Sequence, residues 1–417
     1  IESVSVSFDE PADEEEDDKY ELSALGEDPP IIRLVNSVLA QAIKLRASDI
    51  HFQPEPEHIS VRFRVDGVMQ DGPELPSHLN RSIAARLKVM SQLDITENRL
   101  PHDGRISLKV ANREYLLRLS IVPSMNGTSA VIRIAEQAED GLSISSMGMN
   151  EDTLMRFKHV VECPLGLVLI TGPTGSGKST TLYSSLSHLN QADKKIITIE
   201  DPVERQIAGL TQIETNDGIG LAFADGLRSA LRHNPDVIMV GEIRDKETAD
   251  IAVQASLTGH LVFSTIHTND AASAVTRLVN MGVEPFLVGS SLSAAMAQRL
   301  VRSLCPDCKI PVQDEGSVLA PFGVHLKTSI TVHHASGCSK CGASGYRGRA
   351  PVFELLLNSA NIEELITANS PDSVIRKLAI EEGMRTLQHE VAEKVMDGTT
   401  SLQEALRTIQ SEWASKS

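Results

Sequence analysis

Residues 172 to 180 read GPTGSGKST, and no other stretch restricts the fold of this chain as much. The order G-x-x-x-x-G-K-[ST] is the pattern of a phosphate-binding loop, which works only where a strand turns into a helix. Both flanks are present. Leu165 to Ile170 are nearly all apolar, as a strand buried on both faces of a parallel sheet requires, and from Ser179 onward Thr181, Leu182, Tyr183 and Leu186 take up helical spacing. Gly172, Gly175 and Gly177 let the backbone curl so that successive N–H groups point at a β-phosphate. Lys178 then reaches the β- and γ-oxygens of ATP, and the Ser179 hydroxyl can ligate Mg2+. Pro173, Thr174, Ser176 and Thr180 complete the expected nucleotide-binding set. A chance glycine-rich turn is the alternative, and the strand and helix on its two sides count against it.

At 417 residues, 41% of them hydrophobic, the chain has material for roughly two or three domains with ordinary cores. No run approaches the roughly 18 consecutive apolar residues of a membrane span, and the first residues carry neither a basic nor an apolar signal segment. A start at Ile1 rather than Met leads us to expect a longer natural chain. Residues 1 to 28 hold twelve acids and one base, Lys19, so -11 of the net charge of -17 sits there. Such a run is either a solvated, disordered linker or an acidic interaction segment, and it argues against general affinity for nucleic acid.

Cys305-Pro306-Asp307-Cys308 and Cys338-Ser339-Lys340-Cys341 are two CxxC pairs separated by 29 residues, with Cys163 left over. Two such knuckles bring four thiolates to one tetrahedral point, and without a secretion signal the pattern reads as structural Zn2+ held by Cys305, Cys308, Cys338 and Cys341. Pro306, Gly337, Gly342 and Gly345 supply the tight turns. A redox pair is the alternative.

Taken in order, Pro29 and Pro30 end the acidic tail (1–30), and Ile31, Leu34, Val35, Val38, Leu39 and Ala42 then repeat at helical spacing. Residues 59 to 66 alternate strictly, which predicts a half-buried strand with Ile59, Val61, Phe63 and Val65 inward and a hairpin turn at Asp66-Gly67. A helix around Arg81 to Leu93, a turn at Asp103-Gly104, and strands at Tyr115 to Val122 and Ala130 to Ile134 complete an N-terminal α+β domain (31–134). Arg118 and Arg133 alternate with apolar neighbours, so each points away from the core, and on pattern alone they read as surface arginines. Residues 135 to 148 are polar and aperiodic and read as an interdomain linker.

Past the phosphate loop, Lys195 to Ile199 is a short apolar strand running into Glu200-Asp201-Pro202-Val203-Glu204. Parallel α/β sheets bind ligands at such carboxyl edges. The next strand, Val237 to Val240, ends in Gly241-Glu242, with Gly241 where an Asp often holds magnesium in ATPases of this kind. The metal burden then falls on Ser179, water and the Glu200 to Glu204 acids, leaving Glu242 to orient or deprotonate the attacking water. Leu261 to Ile266 is a further strand, bracketed by His260 and His267. Each histidine is either a sensor of the γ-phosphate or a satisfied core residue. Pro351 to Leu357 predicts a short strand, followed by helices capped at Ser370-Pro371 and by a box at Thr400 to Gln403.

At this point the residues resemble a known family, the secretion ATPases of type II secretion and type IV pilus systems, from about Ile31 to Leu406. The resemblance rests on the phosphate loop, on TIEDPVE at Thr198 to Glu204, on LRHNPDVIMVGEIRD at Leu231 to Asp245, and on the histidine box at Thr258 to Asp270. It implies an α/β fold: a RecA-like ATPase core (149–300), a tetracysteine zinc subdomain (301–348) and a mainly helical C-terminal subdomain (349–417) behind the α+β module. It further implies a ring of six copies on the cytoplasmic face of the inner membrane. The expected partners there are the cytoplasmic domain of a secretion-assembly protein, a membrane platform protein and acidic phospholipid. The short N-terminal remainder suggests that the family's first domain is absent from this sequence.

The same resemblance raises Arg118 and Arg133 to arginines that approach the nucleotide, with Arg228, Arg232, Arg244 and Arg277 as weaker candidates for phosphate or subunit contacts. The catalytic set it implies is Lys178, Glu242, Glu200, Glu204, Arg118, Arg133 and His267. The tetracysteine segment favours the secretion and pilus-extension branches. A nucleic-acid motor would show a basic or aromatic strand-binding surface, whereas aromatics make up 3% of this chain. A zinc-dependent adaptor that binds nucleotide without turnover is the third class, and phosphate release separates it.

Overall fold

The computed structural model describes residues 29–110, 113–136 and 143–413, in two units, residues 1–140 and 141–417. The acidic segment 1–28 lies outside the described residues. Among the described residues, no helix is long and apolar enough to cross a membrane.

In the first unit, two prolines open a helix at Pro29–Leu45, where a missing N–H leaves no bond unmade. Its periodic residues Ile31, Val35, Val38, Leu39 and Ala42 are buried. Six strands follow: β1 (Ala47–Pro54), β2 (His58–Val65), β3 (Val68–Pro76), β4 (His102–Val110), β5 (Arg113–Ser124) and β6 (Gly127–Glu136), in the order β3-β2-β1-β6-β5-β4. A helix, Asn80–Met90, lies between β3 and β4 in the chain. The alternation in β2 lands as expected, with Ile59, Val61 and Phe63 in the core beside Ile50, Phe52, Leu117, Leu119 and Ile132. Asp66 and Gly67 both take positive φ, +49° and +83°, as a tight hairpin turn requires.

Asp103-Gly104 is not a turn. Both residues lie inside β4, paired with Ser120 and Leu119. Glycine is needed at 104 for a different reason: a Cβ there would meet the Ser91 Cβ at 2.8 Å.

The second unit is built on β7 (Gly166–Thr171), β8 (Ile196–Glu200), β9 (Thr211–Glu214), β10 (Val237–Val240), β11 (Leu261–Ile266), β12 (Leu292–Leu304), the hairpin β13 (Ile310–Glu315) and β14 (Ser329–His334), and β15 (Tyr346–Leu357). Seven of these form one sheet, in the order β15-β12-β7-β11-β10-β8-β9. From β12 to β9 neighbours run parallel, and β15 joins antiparallel to β12. Both faces of β7, β10 and β11 are buried, which explains their unbroken apolar runs.

Three boundaries differ from those read in the sequence. The stretch 135 to 148 is ordered at both ends, since β6 runs to Glu136 and a short 3-10 turn, Ile144–Ser146, buries Ile144 in the second unit's core. Residues 137–142 lie outside the described residues. A domain edge at 300/301 would cut β12, whose partner β15 returns to the same sheet, so the tetracysteine segment is an insertion between two core strands. Ile362, Ile366, Ile375, Leu387, Val391 and Ala405 of the C-terminal helices share one hydrophobic cluster with Leu167, Ile199 and Val240. Those helices therefore complete the ATPase core.

Helix caps shift in the same way. Of the expected Ser370-Pro371 pair, Pro371 stands at the N-cap of Asp372–Glu381, with no side-chain bond. Ser401, not Thr400, accepts the Glu404 N–H at 3.1 Å, because the Thr400 hydroxyl is taken by Arg302 O at 2.7 Å.

Candidate active site

Strand β7 delivers the chain to the phosphate loop, and the helix Lys178–Leu189 carries it away. A side chain at Gly172 would put a Cβ 2.4 Å from Gln298 O, and its φ of +146° excludes other residues as well. The loop lies over Gln298 of β12, whose Oε1 accepts the Thr181 hydroxyl at 2.7 Å and braces the helix's first turn. Pro173, Thr174, Gly175 and Thr180 are exposed, Gly177, Lys178 and Ser179 half-buried, and Ser176 is buried beneath the loop. First-turn N–H groups at Lys178 to Thr180 have no partner within the helix and face an anion with the positive end of its dipole.

Lys178 donates to the loop's own carbonyls, to Gly172 O at 2.8 Å and Pro173 O at 3.0 Å. Burial pushes its pKa down, Glu242 and Glu204 push it up, and Arg299 pushes it down again. The lysine thus sits in the field of two acids and a second cation. Arg299 also donates to Asn269 O at 3.2 Å in the histidine box. Neither Gln298 nor Arg299 was anticipated from the sequence. The available signal was the adjacent pair Gln298-Arg299, the two polar residues within the otherwise apolar run 294–301.

The acids separate into different roles. Glu200 ends β8 with its carboxylate turned into the protein, where it accepts from the Tyr183 hydroxyl, from Thr198 Oγ1 at 2.5 Å and from Gln212 Nε2 at 3.1 Å. Its lone pairs are committed to those donors, so the strand-end acids left facing solvent are Asp201 and Glu204. The Glu204 N–H donates to the Tyr183 oxygen at 3.2 Å, tying this segment to the loop's helix.

Glu242, just past β10, hydrogen-bonds Arg244 and lies 3.4 Å from His267 Nε2. Burial alone would raise its pKa; the Arg244 hydrogen bond and charge, with His267, hold it below the usual carboxylate value. It is therefore ionised at neutral pH. Arg244 reaches Asp201 at 3.6 Å as well.

The two histidines part company. His267 follows β11 at the sheet's carboxyl end, beside Thr268, whose N–H donates to Thr171 Oγ1 at 2.8 Å. His260 precedes β11 at the opposite end, about 20 Å away at strand rise, with Nδ1 2.9 Å from Ala255 O. The structure makes His260 a satisfied structural residue. Arg228 pairs with Glu247, Arg232 bonds Arg228 O at 3.0 Å, and Arg277 is exposed on Ala271–Asn280. The bonds of Arg228 and Arg232 go to these neighbours and not to the phosphate loop.

In the first unit, Arg118 faces Arg133 on β6 and Arg105 on β4, and Arg133 faces Asp49 on β1. The row continues to Arg64 on β2. Asp49 accepts Arg133 Nε at 3.1 Å and lies 3.5 Å from Arg64 Nε. Like charges set directly opposite on a sheet are unfavourable, and Asp49 offsets the charge of Arg133 in this row. Alternation placed each arginine outward, but only register aligns them.

The four cysteine sulfurs all lie within 4.8 Å of one another, with neighbours at 3.9, 3.9 and 3.7 Å. Tetrahedral Zn–S bonds require S···S separations of about 3.8 Å, so the donor set fits zinc. Burial would raise the Cys341 thiol, yet N–H groups of Cys338 and Gly345 bring it down to about 6. Ser179, a hydroxyl on the first turn of Lys178–Leu189, is a hard-oxygen donor of the kind magnesium takes.

The profile of the type II/IV secretion system protein family matches residues 24–407. Type II secretion system protein E of Pseudomonas aeruginosa is 46% identical over 386 residues, 93% of this chain and 77% of that one. The type IV pilus assembly ATPase PilB of Myxococcus xanthus is 45% identical over 397 residues, 94% of this chain and 70% of that one. The solved structure of the Legionella pneumophila ATPase DotB has the same fold, with a TM-score of 0.67 at 22% identity, covering 91% of this chain and 95% of that one. With a family match over nearly all of its length and a phosphate loop held between β7 and its helix, this chain belongs to the type II/IV secretion system protein family and is an ATP hydrolase of that family.

Proposed function

We propose that this ATPase powers type II protein secretion by driving pseudopilus assembly from the cytoplasmic face of the inner membrane, as a ring of six. The observation that carries the reading is the 46% identity to a type II secretion protein E across 93% of the chain. Pilus extension is the second reading, favoured by the PilB relative. Its partners would be the cytoplasmic domain of a secretion-assembly protein, a membrane platform protein and acidic phospholipid. Complementation separates the two: expression in strains lacking their own E protein or their own pilus-extension ATPase should restore exoprotein release in the first and not pili in the second.

In the mechanism, Lys178 and the first-turn N–H groups hold the β- and γ-phosphates. Ser179, with water and the acid of Glu204, would hold Mg2+, which neutralises phosphate charge when bound. Glu242, ionised and steadied by Arg244 and His267, positions the attacking water and takes its proton. Glu200 supports the site from behind, fixing Tyr183 and through it the Glu204 backbone. Glu242→Gln keeps the shape and removes the base. It should bind an ATP analogue normally and lose turnover by about a hundredfold or more. Loss of nucleotide binding in that variant, measured by titration, would make Glu242 structural instead.

Cys305, Cys308, Cys338 and Cys341 would hold one Zn2+ per chain, ordering an insertion whose hairpin strand β13 is largely exposed. Binding of structural zinc is worth on the order of 10 kcal/mol, so Cys338→Ser should release the metal and unfold this insertion before the core. Elemental analysis of protein purified without chelator reads the stoichiometry, and protein free of zinc would refute the assignment.

A further inference from the structure

Glu354 is fully buried at the centre of a contact set that the hydrolytic mechanism does not use. Its Oε1 accepts the Ala271 N–H at 3.0 Å, and its Oε2 accepts the Leu387 N–H at 3.2 Å, with Arg376 3.4 Å away. Ala271 and Leu387 each open a helix, Ala271–Asn280 and Leu387–Met396. One carboxylate thus receives the positive ends of two helices and a guanidinium. Burial pushes its pKa up, and Arg376 and the two N–H groups oppose that shift.

Position distinguishes this carboxylate from an ordinary buried clamp. Glu354 on β15 is in register with Ala297 on β12, and Ala297 with Thr171, the last residue of β7 before the phosphate loop. Two strand spacings, about 10 Å, separate Glu354 from Thr171 in one row of the sheet. The helix that Glu354 caps begins directly after the histidine box. In that box Thr268 bonds Thr171, Asn269 accepts from Arg299, and Asp270 caps Ser273 at 2.8 Å. Ser273 in turn donates to Asp372 at 3.1 Å, at the start of the helix that carries Arg376. A buried charge is costly where an apolar side chain of similar volume would pack as well.

We propose that Glu354 is a positioning residue for ATP hydrolysis: it fixes the histidine box against the phosphate loop and transmits the box's state to the C-terminal helices Asp372–Glu381 and Leu387–Met396. The proposal rests on the hydrolytic reading of the loop. When phosphate draws Lys178 from its loop carbonyls and the box closes on the ligand, the end of Ala271–Asn280 moves with it. Glu354 carries that displacement into Leu387–Met396, which it caps, and through Arg376 into Asp372–Glu381. The C-terminal helices are then a mechanical output of the site, joined to it through this carboxylate as well as through the shared hydrophobic cluster.

The test uses the whole chain with a non-hydrolysable ATP analogue. Wild type should show slower amide hydrogen exchange over Leu387–Met396 when the analogue is bound. Glu354→Gln, isosteric and uncharged, should bind the analogue with wild-type affinity, lose about tenfold in kcat with little change in KM, and lose the analogue-dependent protection. Arg376→Gln, at a partly exposed position, should show the same pattern and add little to Glu354→Gln in the double variant. It carries the test if Glu354→Gln fails to fold. Analogue-dependent protection that survives in both variants, or is missing in wild type, overturns the proposal. So does a kcat loss that only follows the folded fraction seen by circular dichroism. Failure of wild type to bind the analogue would instead overturn the hydrolytic reading.

Discussion

Lys178→Ala will fold and melt close to wild type while losing nearly all release of phosphate from ATP. The lysine's contacts are to the loop itself, Gly172 O and Pro173 O, so its removal opens no core cavity. Catalytically it is the loop's own cation. In the transition state charge spreads over the γ-oxygens, and deleting one preorganised donor at such a point costs about a hundred- to a thousandfold in kcat. Burial at the site strengthens the effect, since it has already stripped water from the ammonium group. A variant that keeps more than about a tenth of the wild-type rate, a barrier change under about 1.4 kcal/mol, would show that the cation at this site is another group, with Arg299, whose charge acts on Lys178, a candidate. Circular dichroism alongside the rate assay separates a lost cation from a lost fold.

The parts of this site that were legible in the sequence are those where one motif dictates one local geometry. A glycine-rich loop with Lys178 demands a strand before it and a helix after it, and β7 and Lys178–Leu189 are there. Two CxxC pairs demand convergence, and their sulfurs converge. What depended on tertiary neighbours was not legible. Residues 292–304, LSAAMAQRLVRSL, have the alanine and leucine content of a helix, yet they form β12 because β7 and β15 bond to both of its edges. Ala294, Ala295 and Ala297 are buried there, so small side chains suit the strand's place in the sheet. With β12 unread, the return of β15 to the core sheet was unread too, and the zinc segment looked like a separate subdomain between the core and the C-terminal helices. TIEDPVE offered three acids, and nothing in it says that Tyr183, Thr198 and Gln212 claim Glu200. The arginines of the first unit were visible singly, and their alignment needed the register of five strands.

That alignment sets the second large effect. Arg118→Ala should cost roughly a thousandfold in turnover, the range of an arginine finger, while leaving most of the nucleotide affinity. The phosphate loop supplies Lys178, and a second cation that arrives only when the N-terminal unit closes on bound ATP would link hydrolysis to domain movement. Arg118 suits that role because it stands between Arg105 and Arg133 in one row of the sheet. Arg133→Ala should show the same kinetic loss with an added loss of stability. Its removal takes the 3.1 Å partner from Asp49, a carboxylate only 6% exposed, and leaves it Arg64 at 3.5 Å. Melting temperature therefore distinguishes the two variants, and kcat does not. If either arginine is delivered by a neighbouring copy, specific activity must rise with protein concentration in wild type, and an inactive Lys178→Ala chain mixed with Arg118→Ala should recover part of the rate. Near-normal turnover of both arginine variants, at concentrations where wild type is assembled, would return the row to a solvated surface and leave hydrolysis to the second unit alone.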